Sequence, residues 1–277
     1  MSYKTILVYL NDTRRAEATL EPAITLAARF GAHLIGVNIH PDVPAPPIAL
    51  PFSAKVLGAV GAAERKQSEE IAATFARMTA GKTFTAEWRA LKVSHLDLAS
   101  VVMEHGRCAD LIIAGQTNPD WDLSPLLDFP ERLALESGRP VLVVPYAGRF
   151  AEIGKDVVIA WKPSRESARA VFDAVPLLKA ASTVQILEIK EGRVVGNPDS
   201  STAIAAALSR HGIKPTARSS APGSIGIGDE LLSRLADAGA DMLVMGAYGH
   251  SRFRELVFGG ATRHIAGHMT VPTLFSH

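Results

Sequence analysis

The chain repeats itself once, at a period of about 130 to 150 residues, and that repeat narrows the fold more than any other feature. The run Thr5-Ile-Leu-Val-Tyr-Leu-Asn-Asp12 has its counterpart in Asp156-Val-Val-Ile-Ala-Trp-Lys-Pro163, and His33-Leu-Ile-Gly-Val-Asn-Ile39 in Val184-Gln-Ile-Leu-Glu-Ile189. Later, Ala109-Asp-Leu-Ile-Ile-Ala-Gly115 matches Ala240-Asp-Met-Leu-Val-Met-Gly246, and Pro140-Val-Leu-Val-Val144 matches Val271-Pro-Thr-Leu-Phe275. So long a period excludes a solenoid, whose units are 20–50 residues. Short apolar runs alternating with amphipathic stretches instead indicate parallel βαβ units buried on both faces. The expected architecture is α/β: two tandem doubly wound five-stranded parallel-sheet domains of Rossmann-like type, residues 1–150 and 151–277, divided near Ala147 to Lys155. Ligands in such sheets lie beyond the carboxyl ends of the strands.

Within this frame Arg14 to Phe30 reads as a helix stopped by Gly31, and Ser164 to Ala181 plays the same part in the second half. Between its second and third strands the first half carries about twenty additional residues, with Pro41, Pro44, Pro46, Pro47 and Pro51 among them. The prolines argue against regular helix over 41–52, leaving a packed surface excursion, an apolar lid or a docking surface. A net charge of +1 and 21% charged residues offer no basic field for nucleic acid or an anionic membrane. No apolar stretch nears the roughly 20 residues that span a bilayer. The start of the chain lacks the pattern of a secretory signal, so a cytoplasmic location is expected. The lone Cys108 cannot form an internal disulfide and is expected to be packed rather than nucleophilic.

The chemistry-bearing stretch runs from Met245 to Arg263. Gly246, two residues, Gly249, nine residues and the pair Gly259-Gly260 follow directly on an apolar strand. Glycine accepts positive φ and carries no Cβ, so successive N–H groups can converge on an anion. A helix opening beyond them adds its unpaired N–H groups and positive dipole end. In the first half the same stretch reads Gly115-Gln-Thr-Asn118, and Asp128-Phe129 stands where Gly259-Gly260 stands. An acid and an aromatic ring there would repel phosphate and block its approach, so one of two equivalent sites is expected to be lost.

The tandem units ending in ADMLVMGAYGHSRFRELVFGGATRHIAGHMTVPTLF resemble the universal stress protein family in its two-domain form. The resemblance covers nearly the whole chain, and the G-x2-G-x9-G stretch is its specific part. It implies an adenine nucleotide alpha hydrolase-like fold with the halves paired through their last strands as an internal pseudo-dimer, and homodimers of whole chains as a further level of assembly. It implies ATP, with magnesium, at Gly246, Gly249 and Gly259, and a stress-response regulator or sensor with at most weak ATP hydrolysis. Gly260 replaces the family's hydroxyl residue, while Ala261 and Thr262 follow it and Thr262 can supply a hydroxyl. Tyr248 could border the ribose and Arg252 could pair with a phosphate. The family's adenine-recognising aspartate falls at the end of the first strand, here Ala160-Trp161-Lys162, with Asn11 or Asp12 in the first half. Lys162 cannot accept from an adenine amino group, although Trp161 could stack. Phosphate binding is therefore better supported than adenine binding.

The remaining signals are weaker. His264 and His268 share one helix face but have no third ligand nearby in sequence, and polar residues on a solvent-facing helix surface account for them. Gly223-Ser-Ile-Gly226-Ile-Gly228-Asp229 departs from the dinucleotide order and is expected to lead into a helix with Asp229 near its cap. Gly81-Lys82-Thr83 precedes a strand and is no Walker loop. No G-x-S-x-G elbow, HExxH helix or paired CxxC occurs, which favours a binder over an enzyme. The alternatives are a ligand-independent scaffold docking partner proteins through Pro41 to Phe52, and a weak ATP phosphohydrolase.

Overall fold

Each half of the chain lays down its strands in the order 3-2-1-4-5, and the two sets join edge to edge into one ten-stranded sheet. The computed structural model describes residues 2–41, 51–93, 97–120, 124, 129–189, 200–220, 226–247 and 260–277, with the backbone alone described at 40–41 and 51–64. The first half contains β1 (Thr5–Tyr9), α1 (Ala16–Phe30), β2 (His33–Pro41), α2 (Pro51–Thr79), β3 (Ala86–Val93), α3 (Leu98–Gly106), β4 (Leu111–Gly115), α4 (Pro130–Glu136) and β5 (Val141–Val144). The second contains β6 (Asp156–Ala160), α5 (Arg165–Asp173), α6 (Val175–Leu178), β7 (Thr183–Ile189), α7 (Ser200–Arg210), β8 (Pro215–Ser220), α8 (Ile227–Asp237), β9 (Met242–Gly246), α9 (Gly260–His268) and β10 (Thr273–Ser276).

All neighbouring strands are parallel except at the seam, where β5 and β10 run antiparallel with Leu142 opposite Leu274. The pseudo-dimer implied by the resemblance is thus built through the last strand of each half. Side chains alternate across the strands. In β1, Ile6 and Val8 pack with Leu20 and Leu26 of α1, while Leu7 and Tyr9 pack with Val102 of α3. Ile6, Leu7 and Val8 are all fully buried, each contributing about 1.5–3 kcal/mol of transfer free energy. This explains why the strands read as unbroken apolar runs.

The repeated Ala-Asp pairs have a structural task. Asp110 accepts from the backbone N–H of Lys4 at 2.7 Å and Thr5 at 3.0 Å. Asp241 likewise accepts from Gly154 at 2.9 Å, Lys155 at 2.9 Å and Asp156 at 3.1 Å. Each carboxylate pins the start of its half's first strand. The connection between halves is held along α1, where Arg15 donates to the Pro145 carbonyl, Thr25 to Ala151 and Arg29 to Ile153. Tyr3 crosses between halves by donating to the Asp173 carbonyl at 2.7 Å, and burial pushes its phenol well above the usual range.

Two expectations are refined and one, the stop at Gly31, holds. α1 starts at Ala16 rather than Arg14 because Asp12 accepts from the Arg14 backbone N–H at 2.9 Å and pairs with its guanidinium. Gly31 ends it in the left-handed region at φ 59°. The stretch from Ser164 to Ala181 breaks at Ala174 into α5 and a single-turn α6, with Pro176 inside the new first turn where a missing N–H is tolerated.

Two expectations are corrected. Helix is not excluded throughout 41–52, because α2 begins at Pro51, and its 29 residues against the 11 of α7 take up part of the additional length. Residues 42–50 of that segment lie outside the described residues. Cys108 is exposed, because it sits in the turn between α3 and β4 rather than on a core face.

Candidate functional site

Three helices of the second half begin around one cleft of about 520 Å³ at the carboxyl ends of β6, β7 and β9. Ser164, Glu166 and Ser167 come from the start of α5, Gly226 to Asp229 from the start of α8, and Gly260, Ala261 and Thr262 from the start of α9. The strand ends contribute Ala160, Trp161, Lys162 and Gly246. Every helix start leaves backbone N–H groups without intrahelical partners and carries a partial positive charge. Here three such poles face the same space.

The poles are not equivalent. In α5 the Ser164 hydroxyl caps the helix by accepting from Ser167 N–H at 3.2 Å, and Glu166 stands in the first turn. Burial pushes the Glu166 carboxyl up, but its own backbone N–H, the Ser164 hydroxyl and Arg165 outweigh this and hold it below the usual range. In α8, Gly226 offers no side-chain cap, and Asp229 and Glu230 lie in the first turn. Glu230 turns aside to Ser220 and Arg234. The first turn of α9 carries no acidic residue, so its pole has no carboxylate of its own turn to offset it.

Seven of the eleven residues expected from sequence line this cleft: Ala160, Trp161, Lys162, Gly246, Gly260, Ala261 and Thr262. Tyr248, Gly249, Arg252 and Gly259 lie outside the described residues. Gly246 has a packing reason to be glycine, since a Cβ there would stand 2.5 Å from Ser167 N and 2.6 Å from the Glu166 carbonyl carbon. It lets the first turn of α5 press onto the end of β9. Among the described residues a methyl at Gly260 would meet nothing within 4 Å. Trp161 is both packing and lining: its ring rests against the core while Nε1 donates to Ser200 Oγ at 3.3 Å. Ser200 in turn donates to the buried Glu188 at 2.7 Å.

The first half shows how an equivalent cleft is filled. Tyr9 lies opposite Val37 in β2 as Ala160 lies opposite Leu187 in β7, so Tyr9 and Ala160 correspond. Leu133 and Ile265, both fully buried, align α4 with α9. This shifts the sequence match by one residue and sets Phe129 against Ala261, because burial rather than glycine spacing fixes the helix register. Tyr9 and Phe129 stack with centroids 5.1 Å apart and planes at 27°. Two aromatic rings thus occupy the place where the second half has two alanines. Gln116, which follows Gly115, is buried and ties the halves together by donating to the Ala266 carbonyl at 2.8 Å and accepting from Tyr146 N–H at 3.0 Å.

Sequence reasoning missed Ser164, Glu166, Ser167, Gly226 and His264 as lining residues. Gly226 does lead into a helix, and Asp229 is in its first turn, as expected. What the pattern withheld was that this helix starts beside the glycine series. The available signal was topological, a cap residue following directly on a strand end. His264 is not merely a surface residue, since its Nε2 lies 3.0 Å from Asp229 Oδ1 and its ring stacks on His268 at 4.4 Å. Among the described residues no group of three or more His, Cys, Asp or Glu is gathered as for a metal ion. A larger groove of about 750 Å³ lies toward the amino ends of β6 and β7 beside α8, away from the glycine series.

The chain has the fold of the universal stress proteins. It superimposes on a universal stress protein from Archaeoglobus fulgidus DSM 4304 with TM-score 0.71 and 12% identity, covering 98% of this chain and 95% of that one. A candidate universal stress protein from Pseudomonas aeruginosa UCBPP-PA14 gives 0.60 at 13% identity, covering 99% and 93%. A protein of unknown function from Pseudomonas aeruginosa PAO1 gives 0.59 at 13%, covering 99% and 92%. No family model and no curated protein matches the sequence. No helix among the described residues is long and apolar enough to cross a membrane.

Proposed function

We propose that the second half binds a nucleotide or related phosphate-bearing small molecule, ATP foremost, and that the protein works as a stress-response regulator or sensor whose ligand state alters its contacts. The observation that carries this reading is the meeting of three helix starts, one without an acid in its first turn, in a single cleft. Backbone N–H groups at helix starts recognise phosphate in many unrelated folds. The cleft volume of about 520 Å³ falls within the range of small-molecule sites, about 300–1,000 Å³. Lys162 favours anionic groups, and Trp161 presents a fixed aromatic surface. Magnesium would enter with the phosphates it neutralises, with Glu166 and Asp229 the carboxylates at hand.

The first half supplies the test. The pair Ala160→Tyr and Ala261→Phe copies the Tyr9–Phe129 stack into the second half. Calorimetry with ATP, ADP, cyclic AMP and nucleotide sugars should show micromolar or tighter binding of at least one by the wild type and none by the folded double variant. Binding that survives the double substitution would remove the cleft as the site. Absence of heat and of thermal shift with every probe would remove the function.

A further inference from the structure

The groove beside α8 is built from positions that the first half fills differently. With Val37 corresponding to Leu187, the pairing of β2 with β3 and of β7 with β8 sets Ile35 against Gln185, Glu87 against Thr216 and Arg89 against Arg218. In the first half Arg89 donates to Glu87 at 2.7 Å and contacts His105 Nδ1 at 3.1 Å, while His33 stands 3.4 Å from the same carboxylate. That arginine is neutralised where it stands. The second half keeps the arginine, but a threonine stands in place of its carboxylate, opposite a glutamine in place of the buried isoleucine.

The result is a polar groove of about 750 Å³ running along the exposed edge strand β8. Its carboxylates are engaged. Asp156 accepts from the Thr183 hydroxyl at 2.6 Å, and Asp237 pairs at 3.3 Å with Arg234, which also meets Glu230 at 2.9 Å. Lys214 and Arg218 have neither an ion pair nor a side-chain hydrogen bond among the described residues, and the Thr216 hydroxyl and Gln185 amide beside them have no protein partner there either. Two cations without counter-ions attract an anion, and a guanidinium grips phosphate through two parallel N–H bonds.

The rest of the lining narrows the ligand. Among the described residues no aromatic side chain lines the groove, so it gives a base nothing to stack on. Hydroxyl and amide groups, which both donate and accept, match a ligand's own hydroxyls. Two uncompensated cations match a phosphate monoester, close to a dianion at neutral pH, better than a single carboxylate. We propose that this groove is a second binding site, for a small sugar phosphate, with Arg218 and Lys214 on the phosphate and Thr216 and Gln185 on the sugar hydroxyls. It stands apart from the nucleotide reading: the two clefts share only Leu187 among their described lining residues and lie toward opposite ends of β6.

Calorimetry with glucose 6-phosphate and ribose 5-phosphate, against glucose and inorganic phosphate, tests the assignment. At least one sugar phosphate should bind, about 10-fold or more tightly than either control. Arg218→Gln removes a charge-assisted contact and should weaken that binding about 10- to 100-fold. Thr216→Glu copies the first half by giving Arg218 a carboxylate, and should weaken it comparably. Both positions are exposed on an edge strand, so both variants should melt within about 1 °C of the wild type. In the wild type the Arg218 Nε–H resonance should move on titration, a readout that needs no variant. Absence of binding by both sugar phosphates, or an unmoved Arg218 resonance while either binds, overturns the inference. Inorganic phosphate binding as tightly as the sugar phosphates overturns it too. So does binding that Arg218→Gln and Thr216→Glu leave intact and the pair Ala160→Tyr and Ala261→Phe abolishes, which would assign it to the glycine-series cleft. The ATP titrations above test that other cleft separately.

Discussion

Replacing Gly246 by alanine separates two reasons for a glycine in a candidate phosphate loop. The added methyl would sit 2.5 Å from Ser167 N, 2.6 Å from the Glu166 carbonyl carbon and 2.9 Å from Glu166 Cβ. The first two contacts are backbone of a capped helix turn, which cannot rotate away as a side chain can. Overpacking of this kind costs about 1–3 kcal/mol. At about 2.1 cal/mol/K per residue, a chain of 277 residues unfolds with an entropy of about 0.6 kcal/mol/K. The thermal midpoint of Gly246→Ala should therefore fall by about 2–5 °C. Gly260→Ala is the matched control, because its methyl meets no atom of the described residues within 4 Å and alanine is favoured over glycine in a helix by up to about 1 kcal/mol. Its midpoint should stay level or rise by up to about 2 °C. Scanning calorimetry of the two variants decides the matter. If Gly246→Ala melts with the wild type, α5 does not press on β9 as described, and the glycine is there for ligand approach alone.

Two further outcomes follow from the first half. A double-mutant cycle with Tyr9→Leu and Phe129→Leu should give a coupling of about 0.5–1.5 kcal/mol in urea unfolding, as for stacked aromatic pairs; additive effects would mean the rings do not fill the cleft together. Arg132, through its side-chain hydrogen bonds, and then Ser100 hold the Asp97 carboxyl well below the usual range. A carboxyl lowered in the folded state adds stability above its unfolded value and loses it as pH falls through the folded one. Arg132→Gln should shift the Asp97 NMR titration upward, and its stability deficit, present above about pH 4, should shrink on acidification. An unmoved titration would show that Arg132 is not the cause.

The strands were legible because a parallel sheet covered on both faces demands unbroken apolar runs, as in Ile6 to Val8 and Leu243 to Met245. Helix ends were legible where one residue decides them, as with Gly31 at the end of α1. The glycine series pointed to the right strand end, but not to the reason for Gly246, which depends on a helix 80 residues earlier in the chain. Nor could spacing find the pairing of His264 with Asp229, since α8 and α9 meet only after β9 has crossed between them. The helix register also escaped it: glycine spacing set Phe129 against Gly260, whereas the buried positions Leu133 and Ile265 set it against Ala261. Proline counting over-reached at Pro51, where a first helical position accommodates what a helix interior would not.

The antiparallel seam of β5 with β10 turns the carboxyl ends of the two strand sets in opposite directions. With strands about 4.8 Å apart and about 3.3 Å per residue, the filled cleft at β1 and the lined cleft at β6 are separated by about 25 Å. That is more than twice the distance over which surface charges sense one another at physiological salt, about 8 Å. Aromatic rings could therefore take over one cleft without disturbing the electrostatics of the other. A duplicated chain built this way can spend one copy on rigidity and keep the second for chemistry.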